Sequence, residues 1–349
     1  MQIGVDSFVA TSLDQTADGA PGDAGRVREL LEQIELADQV GLDVFGIGEH
    51  HRPDFLASAP IVLLAAAAAR TKRIRLASAV TVLSSDDPVR VFQQFATLDL
   101  ISQGRAEIIV GRGSFIESYP LFGFDLDHYD ALFAEKLDLL LTLRGQTHVH
   151  WSGQHRAALT GQGVYPRPVQ HPLPVWIGVG GTPQSFIRAG TLGLPLMVAI
   201  IGGQPAQFRG LIDRYREAGA RAGHAPEKLT VGVHSIGYLA DTTALAAETF
   251  WPAYRETFGR IGRERGWAAP TRPQFDAQCS PAGALLVGDA EAVAAKIVSA
   301  HGLLGGLSRL TVLLDNGALT HGQIMRAIEL LGTQVAPLVK REIAVRPGV

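Results

Sequence analysis

The sequence predicts an α/β chain folded as a (β/α)8 TIM barrel, and three observations predict it. Eight short apolar runs alternate with segments of helical periodicity along the 349 residues, which implies parallel strands joined by helical crossovers. The runs are nearly continuous in apolar residues, as strands buried on both faces require. The clusters richest in glycine, histidine and arginine follow directly after the runs, at the strand ends where barrel enzymes build their active sites. A doubly wound sheet usually takes fewer units per domain, so eight units favour the barrel. No internal repeat is evident, and residues 1–349 read as a single barrel domain.

Ile3, Val5 and Phe8 mark the first strand. A loop over 10–25, rich in Gly, Asp, Ser and Thr, follows where a mobile lid would sit. Val27, Leu30, Leu31, Ile34 and Ala37 repeat at helical spacing, with Gly41 as the stop. The second strand is 44–47, and Pro60 opens the next helix, since proline suits a first helical position. The third strand is 74–80; Pro88 then opens a helix through Leu100, stopped near Gly104. Residues 106–110 form the fourth strand and run into Gly111-Arg112-Gly113, and an irregular aromatic segment precedes a helix over 129–143.

A β-hairpin over 148–159, split by Ser152-Gly153, and a proline-rich return over 166–174 make an insertion after the fourth strand-helix unit. Residues 175–179 are the fifth strand, with Gly180-Gly181-Thr182-Pro183 opening its helix. The sixth strand (196–201) and its helix (206–222) lead to the seventh strand (229–239) and a helix over 244–261. The polar, aromatic and proline-bearing stretch 263–284 is a second insertion, after the seventh unit. A helix over 289–301, the eighth strand at 310–314 and a closing helix over 322–339 complete the pattern.

Composition narrows the function. The chain is 46% hydrophobic and 19% charged with a formal net charge of -3, which gives no basic field for nucleic acid or anionic lipid. One cysteine, Cys279, excludes an internal disulfide framework and any multi-cysteine metal site, and fits a reducing cytoplasm. The N-terminus lacks the basic and apolar regions of a signal peptide. The longest apolar run, 59–69, is shorter than the ~18 residues of a membrane-span candidate.

Three clusters carry chemistry. Glu49-His50-His51 ends the second strand and admits three readings: a polar turn, a metal site, or general acid/base work by one imidazole. Adjacent residues on an extended chain point opposite ways, which argues against both histidines sharing one ion. Gly111-Arg112-Gly113 suits an anion, because glycines let backbone approach and arginine offers fixed donors. Gly180-Gly181-Thr182 precedes a helix, whose free N–H groups and dipole favour a phosphate. The spaced-glycine dinucleotide fingerprint, the P-loop lysine and the G-x-S-x-G elbow are all missing. Two phosphate-donor candidates on neighbouring strand ends fit one phosphate, as in a mononucleotide. Phe115, Tyr119, Phe122, Phe124 and Trp151 offer an apolar wall.

An ordered set of segments now resembles the bacterial luciferase-like family of flavin-dependent oxidoreductases. It runs from Gly41-Leu42-Asp43 through Glu49-His50-His51, 74–83, Asp87-Pro88-Val89-Arg90, 98–105, Gly111-Arg112-Gly113, Leu121-Phe122-Gly123 and 174–178 to Gly193-Leu194-Pro195. The resemblance implies a (β/α)8 barrel, reduced FMN and molecular oxygen. It assigns proton transfer to His50 and a non-prolyl cis peptide beneath the flavin ring to Ala79-Val80. Arg112 looks like the phosphate-facing arginine, with Gly111 beside it, and Gly180 and Gly181 look like backbone donors to the same phosphate. Gly111 stands where luciferase has a reactive cysteine, and Asp130 near a second phosphate-region arginine, so light emission is not carried over.

The function expected is a flavin-dependent monooxygenase that oxidises a small organic substrate, with reduced FMN supplied by a separate flavin reductase. A homodimer is expected through early barrel helices, for which 65–69 offers a small-residue surface. A deazaflavin-dependent hydride-transferring oxidoreductase, a non-catalytic flavin-binding protein and, more remotely, a metal hydrolase are the alternatives.

Overall fold

Residues 1–11, 22–315 and 317–345 are described by a computed structural model. Eight parallel strands close on themselves: Gln2–Ser7, Val44–Ile47, Arg75–Ser78, Ala106–Gly111, Val175–Val179, Leu196–Ile200, Val231–Leu239 and Arg309–Leu313. The seventh strand pairs with both the sixth and the eighth, and the eighth pairs with the first, so no edge is left among them. Residues on these strands are almost all buried, because barrel interior and helical ring cover both faces.

The helices start where the sequence places their signals. Proline occupies the first turn of Pro60–Arg70, Pro88–Ser102 and Pro183–Thr191, and the Asp87 carboxylate caps the second of these by accepting from the Val89 and Arg90 amides. The helix Asp23–Gln39 begins four residues before the predicted start. Of the loop expected over 10–25, residues 12–21 lie outside the described residues.

Three departures matter for the site. The third strand is broken: a cis peptide joins Ala79 to Val80, and Thr81–Val82 then resumes pairing, with Val110 and Gly111. The hairpin is His148–Trp151 with Leu159–Gly163, four residues longer than predicted. The helix after the seventh strand runs over Thr243–Arg265, four residues past its expected end and into the start of the second insertion. A further helix, Arg272–Cys279, and a short strand, Leu286–Gly288, follow. That strand pairs outside the barrel with Gly237–Leu239. It was hidden in the sequence because three residues carry no periodicity.

The barrel floor is polar. Arg309, 1% exposed, donates to Glu107 at 2.6 Å and to Gln2 at 2.8 and 2.7 Å, and lies over the Trp176 ring; Arg75 also pairs with Glu107. These residues stand near the N-terminal ends of their strands, where a barrel keeps its stability rather than its chemistry.

Candidate active site

A cavity of about 630 Å³ opens at the C-terminal ends of the strands, with a lining that is mostly apolar. All seven residues singled out from the sequence, His50, Ala79, Val80, Gly111, Arg112, Gly180 and Gly181, line it.

Just past the end of the second strand, Glu49-His50-His51 divide the work between them. Glu49 and His51 hold the broken third strand. The Glu49 amide donates to the Val80 carbonyl at 3.2 Å, its carboxylate accepts from the Val82 amide at 2.9 Å, and its other oxygen lies 2.8 Å from His51 Nε2. His50 points the other way, into the cavity, among Phe8, Phe55 and Phe115 at 4.5, 4.7 and 5.1 Å between ring centres. Its Nε2 is buried with no hydrogen-bond partner among the described residues. Burial, and then the nearby charge of Arg52, push the imidazole pKa down to about 3, well below the ordinary histidine value. His50 is therefore a neutral ring presenting one unused polar atom.

Val80 forms a shelf on the cavity wall. A Cβ at Gly111 would come within 2.8 Å of the Val80 side chain, and one at Gly178 within 2.7 Å. Glycine at both positions lets the shelf seat against the fourth and fifth strands, so Gly111 serves Val80 as well as the space beyond it.

Beside the shelf lies a cationic end. Arg112 donates to Ser185 Oγ at 3.2 Å, pairs with the exposed Asp130 carboxylate and lies 4.9 Å over the Tyr129 ring. Ser185 sits in the first turn of helix Pro183–Thr191. Thr182, at the N-cap of that helix, lines the cavity and makes no side-chain capping bond among the described residues, which leaves free amides of the helix N-terminus without that acceptor. Around Gly180 and Gly181 no atom lies within 4 Å of the position a Cβ would take, leaving their backbone open to a ligand.

The aromatic wall differs from the expected one. Of the five aromatics singled out, only Phe115 lines the cavity. Tyr119 is buried and donates to the Arg112 carbonyl at 3.1 Å, Phe122 packs on His51, Phe124 lies under Lys136, and Trp151 donates to Asp138. The wall is built instead by Phe8 and Phe55 with Phe250, Tyr254 and Phe258 of helix Thr243–Arg265. At its rim Arg52 and Arg260 pair with Asp54, and Arg52 also with Glu117 and Glu264, tying that helix to the loops after the second and fourth strands.

Sequence reading also missed Asp6, His234 and Asp315. Asp6 and His234 meet on the inner wall, 2.6 Å apart. Asp315 accepts from Ser7, Ala10 and Arg26 at 2.9, 2.6 and 3.1 Å and so fixes the segment that carries Phe8. A histidine amid the apolar run 231–239 was the available signal, because polar groups on barrel strands point to partners or ligands.

Among the described residues, no group of three or more His, Cys, Asp or Glu side chains could hold a metal ion, and no helix is long and apolar enough to cross a membrane.

Comparison with known proteins adds independent findings. The family described as luciferase-like monooxygenase matches residues 3–305. The chain is 27% identical to 4-hydroxyprotoasukamycin monooxygenase of Streptomyces nodosus subsp. asukaensis over 333 residues, 88% of this chain and 85% of that protein. It is 31% identical to the F420-dependent glucose-6-phosphate dehydrogenase of Amycolatopsis mediterranei over 167 residues, 44% of this chain and 48% of that one. Several of the more similar curated relatives are matched over only about half their length. Among solved structures, monooxygenase RslO1 from Streptomyces bottropensis superposes with a TM-score of 0.83 at 25% identity, covering 97% of this chain and 99% of that one. The oxygenating constituent of 3,6-diketocamphane monooxygenase from Pseudomonas putida, solved with FMN, shares the fold with a TM-score of 0.76 at 20% identity, covering 97% and 98%.

Proposed function

The chain belongs to the luciferase-like monooxygenase family, and from that premise we propose that it is an FMN-dependent monooxygenase acting on a small organic substrate with molecular oxygen. The observation that carries this reading is one cavity holding three features together: the Val80 shelf, the cationic end at Arg112 and helix Pro183–Thr191, and the buried Nε2 of His50, which has no partner among the described residues. A planar ring bearing a phosphate fits that set. When bound, reduced FMN supplies the electrons that activate oxygen.

The residues divide the remaining tasks. Arg112, Ser185 and the Gly180-Gly181 backbone hold the phosphate, by charge-assisted donors and a helix N-terminus. Ala79 and Val80 support the ring. His50 offers a hydrogen bond within an apolar wall that excludes water, and an anionic group bound beside it raises its pKa and readies it to hold a proton. The barrel works as one unit over 1–349, in the cytoplasm, as a homodimer, with a separate reductase delivering reduced FMN.

Two outcomes are expected at the phosphate end. Arg112→Ala weakens FMN binding by roughly tenfold to a hundredfold, the worth of hydrogen bonds to a charged group. Asp130→Asn removes an exposed carboxylate that competes for Arg112 and strengthens binding by up to about fivefold. Fluorescence titration of FMN into each variant checks both.

The decisive test adds oxygen to photoreduced FMN with and without the protein and follows reoxidation by absorbance. A changed rate, together with saturable FMN binding, supports the reading; no binding and an unchanged rate would sink it. A deazaflavin reading is favoured by the F420-dependent relative. Titration of both cofactors separates the two, since preference for the deazaflavin would replace FMN.

A further inference from the structure

We infer that the substrate of this cavity is a phenol or enol, and that His234 is the base that takes its hydroxyl proton; this rests on the flavin reading above, which gives the shelf side of the cavity to FMN. The seventh strand stands four places round the closed barrel from the third, so His234 faces the cavity from the wall opposite the Val80 shelf. Its Nδ1 lies 2.6 Å from Asp6 Oδ2, an oxygen that also accepts from the Thr311 hydroxyl.

A carboxylate only accepts, so the shared proton sits on Nδ1 and leaves Nε2 as the nitrogen with a free lone pair. No hydrogen bond to Nε2 is present among the described residues. Asp6, with Thr311, thus acts as a positioning residue: it fixes the tautomer and turns Nε2 toward the ligand.

The surroundings choose the ligand. The cavity that His234 lines is mostly apolar and carries Phe8, Met197, Ile236, Phe250 and Tyr254 among its lining residues, with the Phe8 ring nearly parallel to the imidazole at 6.0 Å. An aromatic wall beside a free imidazole acceptor fits a planar molecule that donates a hydroxyl to it. The Asp6 carboxylate behind the ring disfavours a ligand that arrives as an anion, and an aliphatic alcohol is too weak an acid to give up its proton here. A phenol or enol arrives neutral. Its O–H bond breaks with the electron pair left on oxygen, the proton bonds to Nε2, and the imidazolium formed lies between the new oxyanion and Asp6. No electrons are exchanged in this step.

The test uses 4-nitrophenol, whose phenolate absorbs at longer wavelength than the phenol, and its O-methyl ether 4-nitroanisole. Each is titrated into the whole protein, with and without FMN, below the solution pKa of the phenol. A phenolate band on binding is expected, with 4-nitroanisole weaker by roughly tenfold to a hundredfold. His234→Gln loses the band and at least about tenfold in phenol affinity, while binding FMN as the wild type does. Asp6→Asn moves the appearance of the band to higher pH.

Equal binding of phenol and ether by the wild type overturns the inference, as does a band that survives in His234→Gln. The wild-type comparison needs no variant to fold. FMN binding without phenol discrimination sinks the substrate class alone, whereas a phenolate band in a protein that does not bind FMN upholds His234 and sinks the flavin reading.

Discussion

Replacing His50 with alanine is expected to lower the rate of substrate oxidation by about 10²–10⁴-fold, the usual worth of a positioned proton-handling group, while changing FMN affinity by less than about tenfold. The argument is geometric. His50 Nε2 is buried among three phenylalanine rings without a partner among the described residues, and a buried polar atom left unpaired is costly unless a ligand satisfies it. Stopped-flow oxidation of the reduced cofactor with an accepted substrate reads the effect, and a variant as fast as wild type would remove His50 from the chemistry.

The pH behaviour sharpens the expectation. His50 is held neutral until about pH 3, whereas a histidine in the unfolded chain takes its proton near ~6.5. The unfolded state therefore binds more protons between those values. Stability contributed by neutral His50 is full above the unfolded pKa and is lost as pH falls towards the folded one. In the protein alone, the His50 ring resonances should not move between about pH 5 and 8, the range in which an ordinary histidine titrates. Binding of the anionic cofactor should bring that titration upward.

Much of this was legible in the sequence, and the reason differs from residue to residue. The barrel was legible because burial on both faces writes itself as continuous apolar runs. The separation of His50 from His51 was legible because adjacent side chains on an extended segment point opposite ways, and the structure places one in the cavity and the other on Glu49. The cis peptide at Ala79-Val80 came through family resemblance, since no local pattern encodes it. Asp6 and His234 were not legible as a pair: 228 residues separate them, and only closure of the barrel brings the first and seventh strands to one wall. The aromatic wall was misread for the same reason. Tyr119, Phe122 and Phe124 follow Arg112 closely in the chain, but the cavity's rings come from Phe8, Phe55 and Phe115 and from helix Thr243–Arg265, which Arg52, Arg260 and their acidic partners tie to the loops of the barrel mouth. Arg112 was expected from the resemblance to face a phosphate; it lines the cavity, while its engagement with Asp130 depends on where the helix Tyr129–Gly145 begins.

The largest stability effect is expected at the other end of the barrel, where Glu107→Ala should cost about 3–5 kcal/mol, the range for breaking one partner out of a buried ion pair. Burial alone would raise the Glu107 pKa, but the Arg309 and Arg75 guanidinium groups outweigh it and hold the carboxyl below its ordinary range. Removing the carboxylate leaves Arg309, 1% exposed, with a charge that Gln2 and the Trp176 face only partly satisfy. The sign of the pH dependence follows. Because the folded pKa is depressed, the contribution is full above the unfolded value of ~4.3 and fades as pH falls through the folded one. Urea melts of wild type and variant should therefore differ most at neutral pH and converge in acid. Glu107→Leu combined with Arg309→Met should recover most of the loss, since a well-packed apolar pair often equals a buried ion pair. FMN affinity should stay unchanged throughout, because these residues stand at the opposite end of the strands from the cavity. A loss below about 1 kcal/mol in the single variant would mean that the floor tolerates a lone guanidinium, as only exposed pairs normally do.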